Sequence, residues 1–236
     1  MKKTFQSFVV LGLLLALPTL KLHAQASFEG TITWSMTIPQ MGDEDKHSMI
    51  INVKGDKSES EMDMGAMGLM KTYSDPSTNK TYMVMGAMKT GYFFDKKDTD
   101  NQKMASKAMD SLDIKPTGQK TTVAGHPAEE YLLKGLKMID EVSLWVTPDF
   151  PKDMQKSFYH SLNNNPGQDP KEAKAMRQLA DRGLVPVRIV ARKGAEVAMT
   201  MEFVKFEQKG LDDKLFVPPS DVKFNPMPKM GGGGTN

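Results

Sequence analysis

The chain contains no cysteine among its 236 residues. That absence excludes disulfides, thiolate zinc sites, catalytic thiols and the lipidated cysteine of a bacterial lipoprotein. An excess of one charge is missing too. The 31 basic residues face 29 acidic ones, so no global positive field exists to drive nucleic-acid binding, and no DNA or RNA partner is expected. Histidine is scarce, at 4 residues, and none forms the helical pair that zinc would need. There is no Gly-x-Ser-x-Gly elbow, and Gly231 to Gly234 precede no helix that would make them a phosphate loop. Glu129 and Glu130, adjacent on a strand, point to opposite sides and cannot pair as acid and base. The expectation is a non-enzymatic protein without a cofactor.

Long apolar runs are also lacking, apart from one near the start. Residues 1–26 begin with Lys2 and Lys3, continue through an apolar stretch at 8–17 and end in Ala24-Gln25-Ala26. This is the pattern of a secretory signal peptide cleaved after Ala24 or Ala26. The stretch is about half of the roughly 20 residues a spanning helix needs. Cleavage would leave 28 basic against 29 acidic residues, in a protein free in the periplasm or secreted, and not integral to the membrane.

What remains is rich in strand patterns. Ile32, Trp34, Met36 and Ile38 alternate with Thr31, Thr33, Ser35 and Thr37, the period of a strand with one wet face. Val142, Leu144 and Val146 alternate against Glu141, Ser143, Trp145 and Thr147, and Val187, Ile189 and Ala191 against Arg188, Val190 and Arg192. In 197–207, Val197, Met199, Met201 and Phe203 face one way, after which Val204 and Phe206 carry the pattern; one extra residue, a β-bulge, produces such a break. Weaker strands read at 47–53, 57–62, 71–74, 80–85, 92–94, 120–123 and 130–134. Turn chemistry separates them at Lys54-Gly55-Asp56, at 75–79 and at Gly125-His126-Pro127. An antiparallel meander follows.

Helices are predicted at 149–162, opened by Asp149 and Pro151, at 169–182, opened by Asp169 and Pro170, and at 101–112. In the second, Ala173, Met176, Leu179 and Ala180 form an apolar stripe. The fold class is α+β and mainly β: a strongly curved antiparallel sheet, an unclosed β-barrel, with helices plugging its concave face. One domain spans 27–224. Residues 225–236, rich in Pro, Met and Gly, read as a flexible tail.

Four stretches carry a resemblance: 28–33; 121–131, with Gly125-His126-Pro127; 141–148, with Leu144-Trp145-Val146-Thr147; and 184–219, from Leu184-Val185-Pro186-Val187 to Phe216-Val217-Pro218-Pro219. Together they resemble a family of uncharacterised bacterial secreted proteins with the lipoprotein-carrier (LolA, LolB and LppX-like) fold. The resemblance implies an unclosed barrel holding helices against a hydrophobic cavity. Members often carry a cysteine shortly after the glycine matching Gly125; here Ala128 stands in that neighbourhood, which removes a covalent role. No arginine matches the lid latch of the true carrier, so lipoprotein transport is not implied.

Methionine is the compositional oddity, with 20 residues. One reading is general packing, a second is a pocket that adapts to varied ligands, and a third is Cu(I) coordination by thioethers. The copper reading uses Met62, Met64, Met67 and Met70, with Met83, Met85 and Met88, and His47 beside Met49 as a nitrogen donor. The pocket reading assigns Trp34, Met36, Met83, Met85, Met199, Met201 and Phe203 to a lipid or other hydrophobic ligand. An envelope interaction module without a ligand is a third functional class. The acidic group Asp43, Glu44, Asp45 reads as a solvated hairpin end, and His126 and His160 as surface groups.

Overall fold

In the computed structural model, residues 28–39, 46–65, 68–86, 90–95, 114–136, 139–163 and 170–227 are described. The expected signal peptide at 1–26, the helix expected at 101–112, the acidic group at 43–45, Met67, Met88 and residues 228–236 lie outside them.

The chain builds one curved, unclosed sheet of 12 strands. In chain order these are β1 (Glu29–Thr37), β2 (Lys46–Lys54), β3 (Lys57–Asp63), β4 (Leu69–Asp75), β5 (Lys80–Met85), β6 (Thr90–Asp95), β7 (Lys115–Val123), β8 (His126–Lys134), β9 (Glu141–Thr147), β10 (Val185–Lys193), β11 (Glu196–Gln208) and β12 (Lys223–Pro226). Helices α1 (Lys152–Asn163) and α2 (Pro170–Asp181) separate β9 from β10. The order across the sheet is β12-β6-β5-β4-β3-β2-β1-β11-β10-β9-β8-β7. Every pairing is antiparallel except β12 with β6, which is parallel. That last strand runs into the stretch expected as tail. Lys223 to Pro226 carry little strand signal of their own, and pairing with the β6 edge, continued by the Met227 amide to the Phe93 carbonyl at 2.9 Å, holds them there.

The core lies where the helices meet the sheet. Ile32 and Trp34 of β1, Leu144 and Val146 of β9 and Val187 of β10 are buried against Met154 and Phe158 of α1 and Met176 and Leu179 of α2. Trp34 stacks on Phe158 at 6.0 Å and meets Phe203 edge-on at 6.0 Å, arrangements that aromatic quadrupoles favour. In α2, Met176 and Leu179 are buried as the stripe predicts, while fully buried Ala175 takes the place of Ala173, which is half-buried. The Tyr159 hydroxyl donates to the Leu184 carbonyl, tying α1 to the turn that ends α2.

The phase break in β11 is real, and two residues around it behave differently from expectation. Thr33 pairs with Lys205 and Trp34 with Phe203, which makes Val204 the extra residue; it is 47% exposed rather than inward. A second register shift lies between Ala191 and Arg192. It turns Val197 to the outer side, where it is 36% exposed. Phe203 and Phe206 hold the inner face instead. The expected Gly-His-Pro turn also moves: Ala124 (φ 49°) and Gly125 (φ 86°) make the bend, and His126 opens β8.

After β11 the chain crosses the outer face of β3 and β4 as a strap. A 3-10 turn, Asp213–Phe216, packs on those strands. Lys54 anchors it by donating to the Leu211 carbonyl at 2.8 Å and pairing with Asp213 at 3.1 Å. On the same face of β3 as the strap sits Glu59, 1% exposed, which accepts from Asn52 Nδ2 at 2.8 Å, while Asn52 accepts from the Thr31 hydroxyl at 2.7 Å. Burial pushes the Glu59 carboxyl above its ordinary value, against the opposing pulls of Asn52 and Lys71.

A pH prediction follows. The folded state keeps the Glu59 proton to higher pH than the unfolded chain does. This group's contribution is therefore full below the ordinary value of 4.5 and is lost as pH rises through the raised folded-state value. Glu59→Gln keeps the Asn52 bond and removes the charge. Urea unfolding at pH 4, 6 and 8 is expected to show equal stabilities at pH 4 and a widening advantage for the variant above it; a variant less stable than wild type at pH 8 would contradict this origin of the shift.

Candidate functional site

Residues paired across antiparallel strands share a face, so the strand register shows what lies beside the core. Starting from buried Trp34, the pairs run Trp34–Met49, Met49–Met62, Met62–Met70 and Met70–Met85. Four methionines thus stand side by side on β2 to β5, on the face that α1 and α2 cover further along. The next row is Ile51, Ser60, Thr72, Met83 and Tyr92, and the one beyond is Val53, Ser58, Ser74, Thr81 and Phe94. Met62, Met70, Met83 and Met85 are half-buried and stand outside the main core cluster. The inner face of this half of the sheet therefore grades from thioethers to hydroxyls.

The residues assigned from sequence to a ligand divide between two environments. Trp34, Met36 and Phe203 are buried, at 2%, 2% and 4% exposure, and Trp34 and Phe203 are packed into the aromatic core. Met199 and Met201 are half-buried against its edge, and Met83 and Met85 lie in the thioether half. Met49, Met62 and Met70 belong with the last two and were absent from the assignment. Their signal was the two-residue turn at Gly55 and Asp56, which pairs Lys54 with Lys57 and so sets Met49 opposite Met62.

Two buried nitrogens nearby are without hydrogen-bond partners, Trp34 Nε1 and His47 Nε2. His126 is not a free surface group: its Nδ1 lies 3.1 Å from Asp149 Oδ2, and its ring packs on Phe150 with centroids 4.5 Å apart. His160 lies on α1.

The outer face has a hollow of its own, of about 520 Å³, over β7 to β10. Trp145, Thr117, Glu130, Ser143, Arg188 and Arg192 are among its walls, which places Trp145 on the side opposite the core, as its phase indicates. The charges here are matched internally. Arg188 bonds Glu202, Arg192 lies 3.9 Å from Glu141 and donates to Ser143 Oγ at 3.3 Å, and Thr117 donates to Glu130 at 2.9 Å. Such a surface has little unmatched charge to offer a ligand. Among the described residues no three His, Asp or Glu cluster as metal ligands, and no helix is long and apolar enough to cross a membrane.

The family model described as a domain of unknown function, DUF4412, matches residues 28–222. The chain belongs to that family. The DUF4412 match takes in β1 to β11, both helices and the strap. No curated protein matches the chain. Among solved structures, the chain is similar to PNGF-II at 13% identity and TM-score 0.45, covering 85% of this chain and 31% of that one. It is similar to MucB at 12% identity and TM-score 0.42, with 85% and 61% covered. A LolA-superfamily protein from Nitrosomonas europaea follows at 13% identity and TM-score 0.30, with 83% and 91% covered. The chain thus spans about a third of PNGF-II and under two thirds of MucB. The mainly β architecture expected from sequence, a curved unclosed sheet accompanied by helices, is the one found.

Proposed function

We propose that this protein is an exported, non-enzymatic binder of a hydrophobic molecule, an acyl chain above all, held on the inner face of β2 to β6. The row Met49–Met62–Met70–Met85 carries the reading. Strands about 4.8 Å apart make the strip from β2 to β6 roughly 19 Å long. Flexible thioethers mould to chains of differing shape, and each buried methylene contributes about 0.8 kcal/mol. The neighbouring hydroxyls of Ser60 and Thr72 suit the polar end of an amphiphile. Secretion to the periplasm or beyond, with the segment 1–26 as the address, belongs to the same proposal.

The test is titration of the purified mature protein with a fluorescent fatty-acid probe. Binding in the micromolar range is expected. Met70→Ser with Met83→Ser removes about 2 kcal/mol of apolar contact, a roughly thirtyfold weaker Kd. Val204→Ser, on the outer bulge, is expected to bind as wild type. A wild-type protein that takes up no probe, or a double variant with unchanged affinity, would refute the assignment.

A further inference from the structure

The thioether strip ends at a buried imidazole. His47 is 5% exposed, and its Nε2 has no hydrogen-bond partner. Leaving a polar group buried and unmatched is unfavourable, so an unpaired ring nitrogen calls for an occupant. Its neighbours are soft. Met36 is its partner across β1, Met49 is two residues along on the same face, and Met62 sits diagonally on β3. Met64 lies two residues beyond Met62, just past the end of β3. Gly65 approaches the ring: a Cβ there would stand 3.3 Å from His47 Cε1, and the neighbouring Met64 amide donates to the Gly68 carbonyl at 3.0 Å.

We propose that His47, with thioethers from Met36, Met49, Met62 and Met64, forms a binding site for a soft monovalent cation, Cu(I) or Ag(I). Neutral imidazole nitrogen and thioether sulfur are ligands that such ions prefer and that magnesium or calcium reject. The ligand set carries no charge, so a bound ion keeps its full charge in a poorly hydrated site. That penalty rises steeply with charge and favours a monovalent ion over a divalent one. Directly opposed strand residues have Cβ atoms about 4.5–5.5 Å apart, within the reach of methionine side chains converging on one point. The site differs from a cluster confined to the β3–β4 hairpin, because it needs β1 and β2 and is centred on nitrogen.

The mature protein, titrated anaerobically with Cu(I) against a chromophoric Cu(I) chelator, is expected to take one equivalent. His47→Leu and the pair Met49→Leu with Met62→Leu are each expected to weaken binding at least tenfold. Should His47→Leu fail to fold, Met64→Leu at the turn serves, with a severalfold loss expected. Methionine methyl NMR on adding Ag(I) gives an independent readout: the resonances of Met36, Met49, Met62 and Met64 should shift while those of Met154 and Met176 in the helices stay fixed. No metal uptake, leucine variants that bind like wild type, or shifts confined to other methionines would each overturn the site.

Discussion

Trp34→Ala is expected to lower the free energy of unfolding by about 4 kcal/mol, within the range for deleting a buried aromatic. At 2% exposure Trp34 fills the space between sheet and α1, stacked on Phe158 and edge-on to Phe203. A cavity between two such rings cannot collapse without shifting α1, whose register is fixed by the Tyr159 bond to Leu184. For a domain of this size the loss corresponds to roughly 8–16 °C in Tm. Trp34→Phe is expected to cost much less, because it keeps an aromatic surface and removes the indole N–H that has no acceptor. Guanidinium unfolding followed by far-ultraviolet circular dichroism distinguishes these outcomes, and a Trp34→Ala cost under about 1 kcal/mol would mean that the helices are not seated on β1.

The second large effect is expected at the strap. Phe216 is 4% exposed in the 3-10 turn that covers β3 and β4, and Phe216→Ala should cost about 3–4 kcal/mol. The damage should also be local. Hydrogen exchange is expected to lose protection in β3 and β4, where the strap lies, well before β8 to β10, which the helices hold. Equal loss in both halves would show that the sheet opens as one cooperative unit.

The sequence made some strands legible and concealed others for physical reasons. β1, β9 and β10 alternate in sequence because one face of each packs on the core, although Thr31, Ser143 and Thr147 on the other face are buried too. β3 shows no such contrast: Ser58 and Glu59 are both buried, because the strap turns its outer face into a second small core. Nothing in the local sequence marks Glu59 as buried, since the strap that packs on β3 comes from far along the chain. The candidate site was half legible. Methionine abundance marked the region, but the row on β2 to β5 exists only through register, and register past the Gly55 turn depends on two further hairpins. The β11 bulge was visible as a phase break, yet which residue it expels is decided by the pairing of Thr33 with Lys205 and Trp34 with Phe203.

The pairing of the first strand with the eleventh has a consequence for how the molecule is made. Glu29 accepts the Leu211 amide from a partner 182 residues further along. At roughly 5–20 residues per second, about 10–40 s pass on the ribosome between these two points. Until then the central seam of the sheet does not exist, and contacts of such long range are slow to form in any case. The nascent polypeptide therefore stays open during most of its synthesis, a period in which chaperones compete with folding for the same chain.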